Sequence, residues 1–282
     1  MHIIKRAALG AILSFAVIIG ALLPTMARAQ SVRWYTNVEE ASSAALESNK
    51  PMMVDFWADW CEACEVMEKE VYNDPRFVNE APRFLAVRID FEKKQALARK
   101  YNVAALPTVI FTDSYGNELF RYRGFLDAKP LAELMRSLPA DVSEFNRLNR
   151  ILAEDKNNFA ALESMGRNLR AAGLFLTSNE YYAKALQRNE AKTNPSQRES
   201  IMMQMGLNSL DMKDGKQAAD IFEKCLKEFP ASPNKTEWTF DLGRAYALAE
   251  KKDKARKVLE AFVREHPDSI DSEKAKAMLG SL

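Results

Sequence analysis

The chain has 282 residues, 47% hydrophobic and 28% charged, with a formal net charge of +1. That composition belongs to a folded globular chain of about two domains rather than a disordered one, and it offers no basic excess to argue for nucleic acid or an anionic membrane surface. Three cysteines are too few for a scaffold stapled by disulfides.

At the N-terminus Lys5 and Arg6 precede an apolar stretch from Ala7 to Leu23, followed by Pro24 and the triplet Ala27-Arg28-Ala29. This order predicts a secretory signal over residues 1–29 with cleavage after Ala29. The alternative is an uncleaved N-terminal anchor facing the periplasm, because the stretch lies near the lower limit of the roughly 20 apolar residues that span a bilayer. Cleavage removes Lys5, Arg6 and Arg28 and leaves a slightly negative chain. No second long apolar run follows, so the remainder is expected to be periplasmic or otherwise exported.

Residues 30–140 predict a first domain. Pro51 to Trp57 is an apolar, strand-like run, and Glu62 to Val71 predicts a helix that begins at Cys61 and Cys64. Phe84 to Asp90 predicts a strand, Lys93 to Tyr101 a helix and Thr108 to Thr112 a strand. Asp113 to Asn117 predicts a turn, after which Glu118 to Tyr122 pairs back and Ala128 to Leu138 is helical. Strands alternating with helices and closing in a hairpin predict one mixed α/β sheet covered on both faces.

The run Val54-Asp55-Phe56-Trp57-Ala58-Asp59-Trp60-Cys61-Glu62-Ala63-Cys64, with Leu106-Pro107-Thr108 beyond it, resembles the thioredoxin superfamily. Within it, Glu68-Lys69, Asp74-Pro75 and Gly124-Phe125 add a likeness to the C-terminal thioredoxin-like domain of the DsbD family. The resemblance implies thiol:disulfide exchange, a cis bond between Leu106 and Pro107, and a buried Asp55 that relays the proton of the resolving thiol. It also implies that Glu68 tunes pKa values near the pair. Glu62-Ala63 departs from the Gly-Pro between the cysteines of common thioredoxins, so general thioredoxin activity does not carry over.

The residues themselves support that chemistry. Exchange needs a thiolate that attacks a disulfide and a second thiol that resolves the mixed disulfide. Cys61 falls at a helix start, where backbone N–H groups favour a thiolate, and Cys64 lies one turn in. Cys61 is therefore the expected nucleophile and Cys64 the resolving thiol of a redox disulfide; a purely structural disulfide is the bland alternative. Asp55 interrupts an apolar strand, where a charge is costly, so it is either hydrogen-bonded or functional. From Asp55 to Glu70 six carboxylates face one base, Lys69. Most can be ordinary surface charges, but Glu65 and Glu68 can share the Cys61 face of the helix. Nearby negative charge disfavours a thiolate, so the pair is expected to be a reductant. Trp60, Leu106 and Pro107 are candidate substrate contacts, with a trans proline at a strand start as the alternative, while Trp57 is expected in the core. Metal binding is disfavoured, because His2 is lost with the signal and His266 stands alone. No flavin or nicotinamide motif is present, so no cofactor is expected and reduction needs a membrane thiol electron donor.

Residues 141–282 predict an all-α segment. Gly166, Gly206 and Gly243 mark a repeat: Ser178, Ala218 and Ala255 follow them by 12 residues, and Tyr182, Phe222 and Leu259 by 16. Paired helices with small residues at their crossings resemble tetratricopeptide repeats, so the fold expected is an α/β thioredoxin-like domain followed by an all-α solenoid. Lengthened turns are expected at Asn194-Pro195 and Ala231-Ser232-Pro233, a capping helix over 271–281, and a buried, inert Cys225. Such an array suggests binding of a protein client or redox partner. The competing function is an envelope scaffold in which the repeats act and the first domain is accessory; the combination of Cys61, Cys64, Asp55 and Pro107 favours the enzyme.

Overall fold

The structure is a computed structural model that describes residues 32–282, so the expected signal lies outside the described residues. Five strands form one mixed sheet in the order β1-β3-β2-β4-β5: β1 Trp34–Tyr35, β2 Met52–Trp57, β3 Leu85–Asp90, β4 Thr108–Thr112 and β5 Glu118–Arg123. β1 and β2 run parallel to β3, while β4 runs antiparallel to both β2 and β5. Side chains alternate along β2 as a strand requires. Met52, Val54 and Phe56 join a cluster with Ala41, Ala45 and Tyr101, and Met53 joins one on the other face with Met67, Val71 and Tyr72.

Two short helices and one longer one lie on the face of the sheet that carries the cysteine segment: α2 Glu62–Val66, α3 Pro75–Glu80 and α5 Ala128–Ser137. α1 Val38–Ser48 and α4 Gln95–Lys100 belong to the opposite face. β1, α1 and α3 were not anticipated from sequence. α1 is set by the Asn37 side chain, which accepts from the Glu40 N–H at 3.0 Å, and α3 by the Asp74 cap with Pro75 in its first turn. The helix expected through Val71 is α-helical only to Val66; Met67–Val71 is a π turn, closed by the Tyr72 N–H on the Met67 carbonyl at 2.9 Å.

The remaining chain is helical: α6 Ser143–Glu154, α7 Phe159–Ala171, α8 Phe175–Leu186, α9 Asn189–Thr193, α10 Pro195–Asp211, α11 Gly215–Glu228, α12 Lys235–Leu248, α13 Lys252–Glu265 and α14 Ile270–Leu279. The repeat spacing has a direct physical cause. Gly166 lies against the Tyr182 ring, Gly206 against the Phe222 ring and Gly243 against Leu259, each the residue sixteen further on. The absent Cβ lets the second helix of each pair seat a large side chain on the first. Asn194-Pro195 is a helix start rather than a lengthened turn: Asn194 accepts from the Gln197 N–H at 3.2 Å, Pro195 opens α10, and the extra residues form α9. Cys225 is buried in α11, and burial pushes its thiol up to about 12.

The change from mixed to all-helical structure near residue 140 is not a break in the core. Val142, Phe145, Leu148, Met165 and Leu169 share one apolar cluster with Met53, Phe111 and Leu131. Polar contacts reinforce the seam: the Val142 N–H donates to the Asn49 carbonyl at 2.8 Å, Asn146 Nδ2 to Ser114 Oγ at 3.0 Å, and Thr177 Oγ1 to the Leu119 carbonyl at 3.2 Å. Met52 pairs with Thr112, so the turn after β4 sits at the start of β2, whereas Cys61 follows its end. The helical array therefore joins the sheet roughly 17 Å, or about one strand length, from the cysteine end.

Gly206→Ala places a methyl 2.7 Å from the buried Phe222 ring. It is expected to cost roughly 1–3 kcal/mol, read as a lower urea midpoint with an unchanged slope.

Candidate redox site

Cys61 and Cys64 form a disulfide. Cys61 is the N-cap of α2: its carbonyl accepts from the Cys64 and Glu65 N–H groups at 2.9 and 3.1 Å, and its Sγ accepts from the Cys64 N–H at 3.2 Å. This is where unsatisfied helix N–H groups favour negative charge on sulfur. Cys61 is 6% exposed and Cys64 4%, so in the oxidised form accessibility barely separates them and position on the helix distinguishes them instead. Trp60 is 63% exposed, with its indole Nε1 donating to Glu92 Oε1 at 2.9 Å.

β4 supplies the opposite side of the site. The Leu106–Pro107 bond is cis, as the resemblance implied, and the Pro107 carbonyl accepts from the Gly124 N–H at 2.8 Å. Thr108 pairs with Phe56, which puts Pro107 at the end of β2 that leads to Cys61. Phe125 is exposed just beyond Gly124, and Leu106 is partly buried against the sheet.

Asp55 is 2% exposed. It points to the same face of β2 as Met53, which packs on Met67, Val71 and Tyr72, so it lies beneath the helical segment that starts at the cysteines. Opposite it on β3 stands Arg88, which was not anticipated. Arg88 Nε lies 3.4 Å from Asp55 Oδ2, and Arg88 Nη1 lies 2.8 Å from Glu68 Oε1. The guanidinium centre sits 4.7 Å from the Trp57 ring centroid and 5.7 Å from that of Trp34. An arginine in the middle of Leu85–Asp90 was the available signal: it breaks an apolar strand just as Asp55 does, and two such breaks on neighbouring strands suggest a pair. Tyr72 and Glu92 carried no comparable mark.

Burial pushes the Asp55 carboxyl up to about 6. Arg88 and then Tyr72 pull it down, and Glu68 pushes it up. Asp55 Oδ1 and the Tyr72 hydroxyl are buried without an aligned hydrogen-bond partner among the described residues, so these influences act by proximity of charge and dipole. Burial likewise pushes the Tyr72 hydroxyl well above its ordinary value. Of the two carboxylates expected on the Cys61 face, Glu65 pairs with Lys69 and Glu68 with Arg88. The negative surplus around the pair is therefore smaller than the local sequence suggests, because Arg88 arrives from another strand.

Residues 38–139 match the thioredoxin-like domain family and residues 209–279 the tetratricopeptide repeat family. The chain thus combines a thioredoxin-like domain, bearing the Cys61–Cys64 pair, with tetratricopeptide repeats. It is 36% identical over 99 residues to the thiol:disulfide interchange protein DsbD of Pectobacterium atrosepticum, covering 33% of this chain and 17% of that protein. DsbD of Vibrio vulnificus is 37% identical over 106 residues, covering 34% and 18%. The matched stretch thus spans under a fifth of the relatives' length. The oxidised C-terminal domain of Neisseria meningitidis DsbD is a structural neighbour at 25% identity and a TM-score of 0.34, covering 37% of this chain and 97% of that one.

Two substitutions should move Asp55 in opposite directions. Arg88→Met removes the charge that lowers its pKa and is expected to raise it above about 6, while Glu68→Gln is expected to lower it, both read by carboxyl carbon NMR titration of the oxidised protein. Stability follows the same proton. The folded pKa lies above the ordinary 3.8, so the folded form holds the proton more tightly; the stability this confers is complete below about pH 3.8 and lost as pH rises through about 6. The loss is on the order of 3 kcal/mol. Asp55→Asn is expected to raise the urea midpoint at pH 7 and flatten this pH dependence.

Proposed function

We propose that this protein is an exported thiol:disulfide oxidoreductase that reduces disulfides of protein clients in the periplasm. The observation that carries the proposal is the Cys61–Cys64 disulfide at a helix N-cap, with an ionisable Asp55 buried under the same helical segment. In the dithiol form the Cys61 thiolate attacks one sulfur of a client disulfide, and the other client sulfur leaves as a thiolate. Asp55 accepts the proton of Cys64, whose thiolate then attacks Cys61 Sγ. The enzyme disulfide forms, the second client sulfur leaves, and two electrons have passed to the client. A carboxyl near pH 6 suits this exchange, since it can take up and release a proton near neutrality.

Glu68 acts on Asp55 through Arg88 in this scheme, and Trp60, Leu106 and Pro107 receive the client chain beside Cys61. An extended client laid beside the cis bond pairs with the Leu106 backbone. The disulfide is returned to the dithiol by a membrane-bound dithiol donor, which gives up two electrons and two protons. The helical array holds a client or that donor, and a partner gripped there must extend along the sheet to reach Cys61.

Insulin reduction is expected to fall to background in Cys61→Ser, and Cys64→Ser is expected to accumulate mixed disulfides with client and donor in the exporting cell. Asp55→Asn should slow the resolving step roughly a hundredfold, read by quenched-flow decay of the mixed disulfide. Reduction unchanged in Cys61→Ser would instead identify the chain as an envelope scaffold.

A further inference from the structure

A cleft of about 630 Å³ opens where the helical array meets the sheet, at the end away from the disulfide. Its walls come from four places: the turn after β4 with Tyr115 and Asn117, α6 with Asn149 and Arg150 and the loop beyond it, α7 with Leu162, and α8 with its C-terminal extension. Four cations line it, Arg150 and Lys156 on one side and Lys184 and Arg188 on the other, and among the described residues no carboxylate does. None of the four forms an ion pair among the described residues, although Glu154, Asp155, Glu180 and Glu190 lie close in sequence. Lys156 and Lys184 lie near helix C-termini, where the dipole favours a cation, which accounts for their tolerance but not for the convergence of all four on one cavity.

The cleft is also built rather than incidental. The side-chain amides of Asn117 and Asn149 both donate to the Asp113 carboxylate, which is buried behind the wall. Arg188 is held by the Asn157 side chain and by the Lys184 carbonyl, and Lys184 Nζ sits 4.7 Å from the Tyr181 ring centroid. Two aromatic rings and fixed amides beside unpaired cations make an amphipathic, electropositive recess within the size range of ligand sites.

We propose that this cleft binds an acidic peptide segment of a protein partner, at a site separate from the disulfide. The charges favour a chain of carboxylates over a compact phosphate, because they are distributed on long side chains along two facing walls rather than gathered at one point. A partner held here is anchored about one strand length from Cys61, which leaves the redox face open. The proposal stands whether or not the disulfide is a reductase centre.

The test is fluorescence anisotropy of a fluorescein-labelled octaglutamate peptide with the full exported chain. Binding is expected to weaken roughly tenfold in the double variant Arg150→Gln with Lys184→Gln, both exposed and free of ion pairs. The charge-matched pair Lys216→Gln with Lys227→Gln, on α11, is expected to leave it unchanged. Inorganic tripolyphosphate should displace the peptide only at higher concentration. Absence of binding, equal weakening by the two variant pairs, or displacement by tripolyphosphate at lower concentration than the peptide itself would each overturn the proposal. Insulin reduction by the wild-type chain and by Cys61→Ser is read separately, so a failure of the reductase reading and a failure of this one give different results.

Discussion

The pairing of β2 with β3 on one side and β4 on the other fixes where every group of chemical interest stands. One end of β2 leads into Cys61 and meets Pro107 at the start of β4; the other end meets the turn on which the helical array is seated. Asp55 lies opposite Arg88 only in this register, and a slip by one residue would turn Asp55 out of its face and break the pair. Site and docking seam are thus set at opposite ends of the sheet by the same hydrogen-bond ladder.

Within that ladder the charges are arranged by degree of burial. Asp55 is shut in, Arg88 is largely covered between two tryptophan rings, and Glu68 reaches solvent. An ionised carboxylate alone in such a place is costly, and the arginine reduces that cost without removing it, which leaves the carboxyl able to titrate near neutral pH. The π turn Met67–Val71 belongs to the same arrangement: it carries Glu68 to the guanidinium and ends at Tyr72, a buried residue that pulls the Asp55 carboxyl down.

The helical array is held by an extension of the core rather than by a flexible tether. Phe145, Leu148 and Met165 pack into the cluster that also contains Phe111 and Leu131, and Asp113 gathers backbone and asparagine amides at the seam. Beyond the seam, each helical pair repeats one solution, a glycine under a large side chain sixteen residues on.

The sequence by itself determined the elements that advertise themselves locally: the apolar runs of β2, β3 and β4, the cysteine spacing at a helix start, the out-of-place Asp55, and the glycine period of the repeats. Short amphipathic pieces such as α1 and α3 were less legible, since their stability comes from caps and tertiary packing more than from pattern. Asn194-Pro195 misled because the same residues that break a chain also begin a helix. Only the tertiary structure decided that Arg88 faces Asp55, that Glu68 is spoken for, and that the array docks at the far end of the sheet. These are contacts between residues distant in sequence, made by strand register and by a shared core, and neither leaves a periodic signal in the chain.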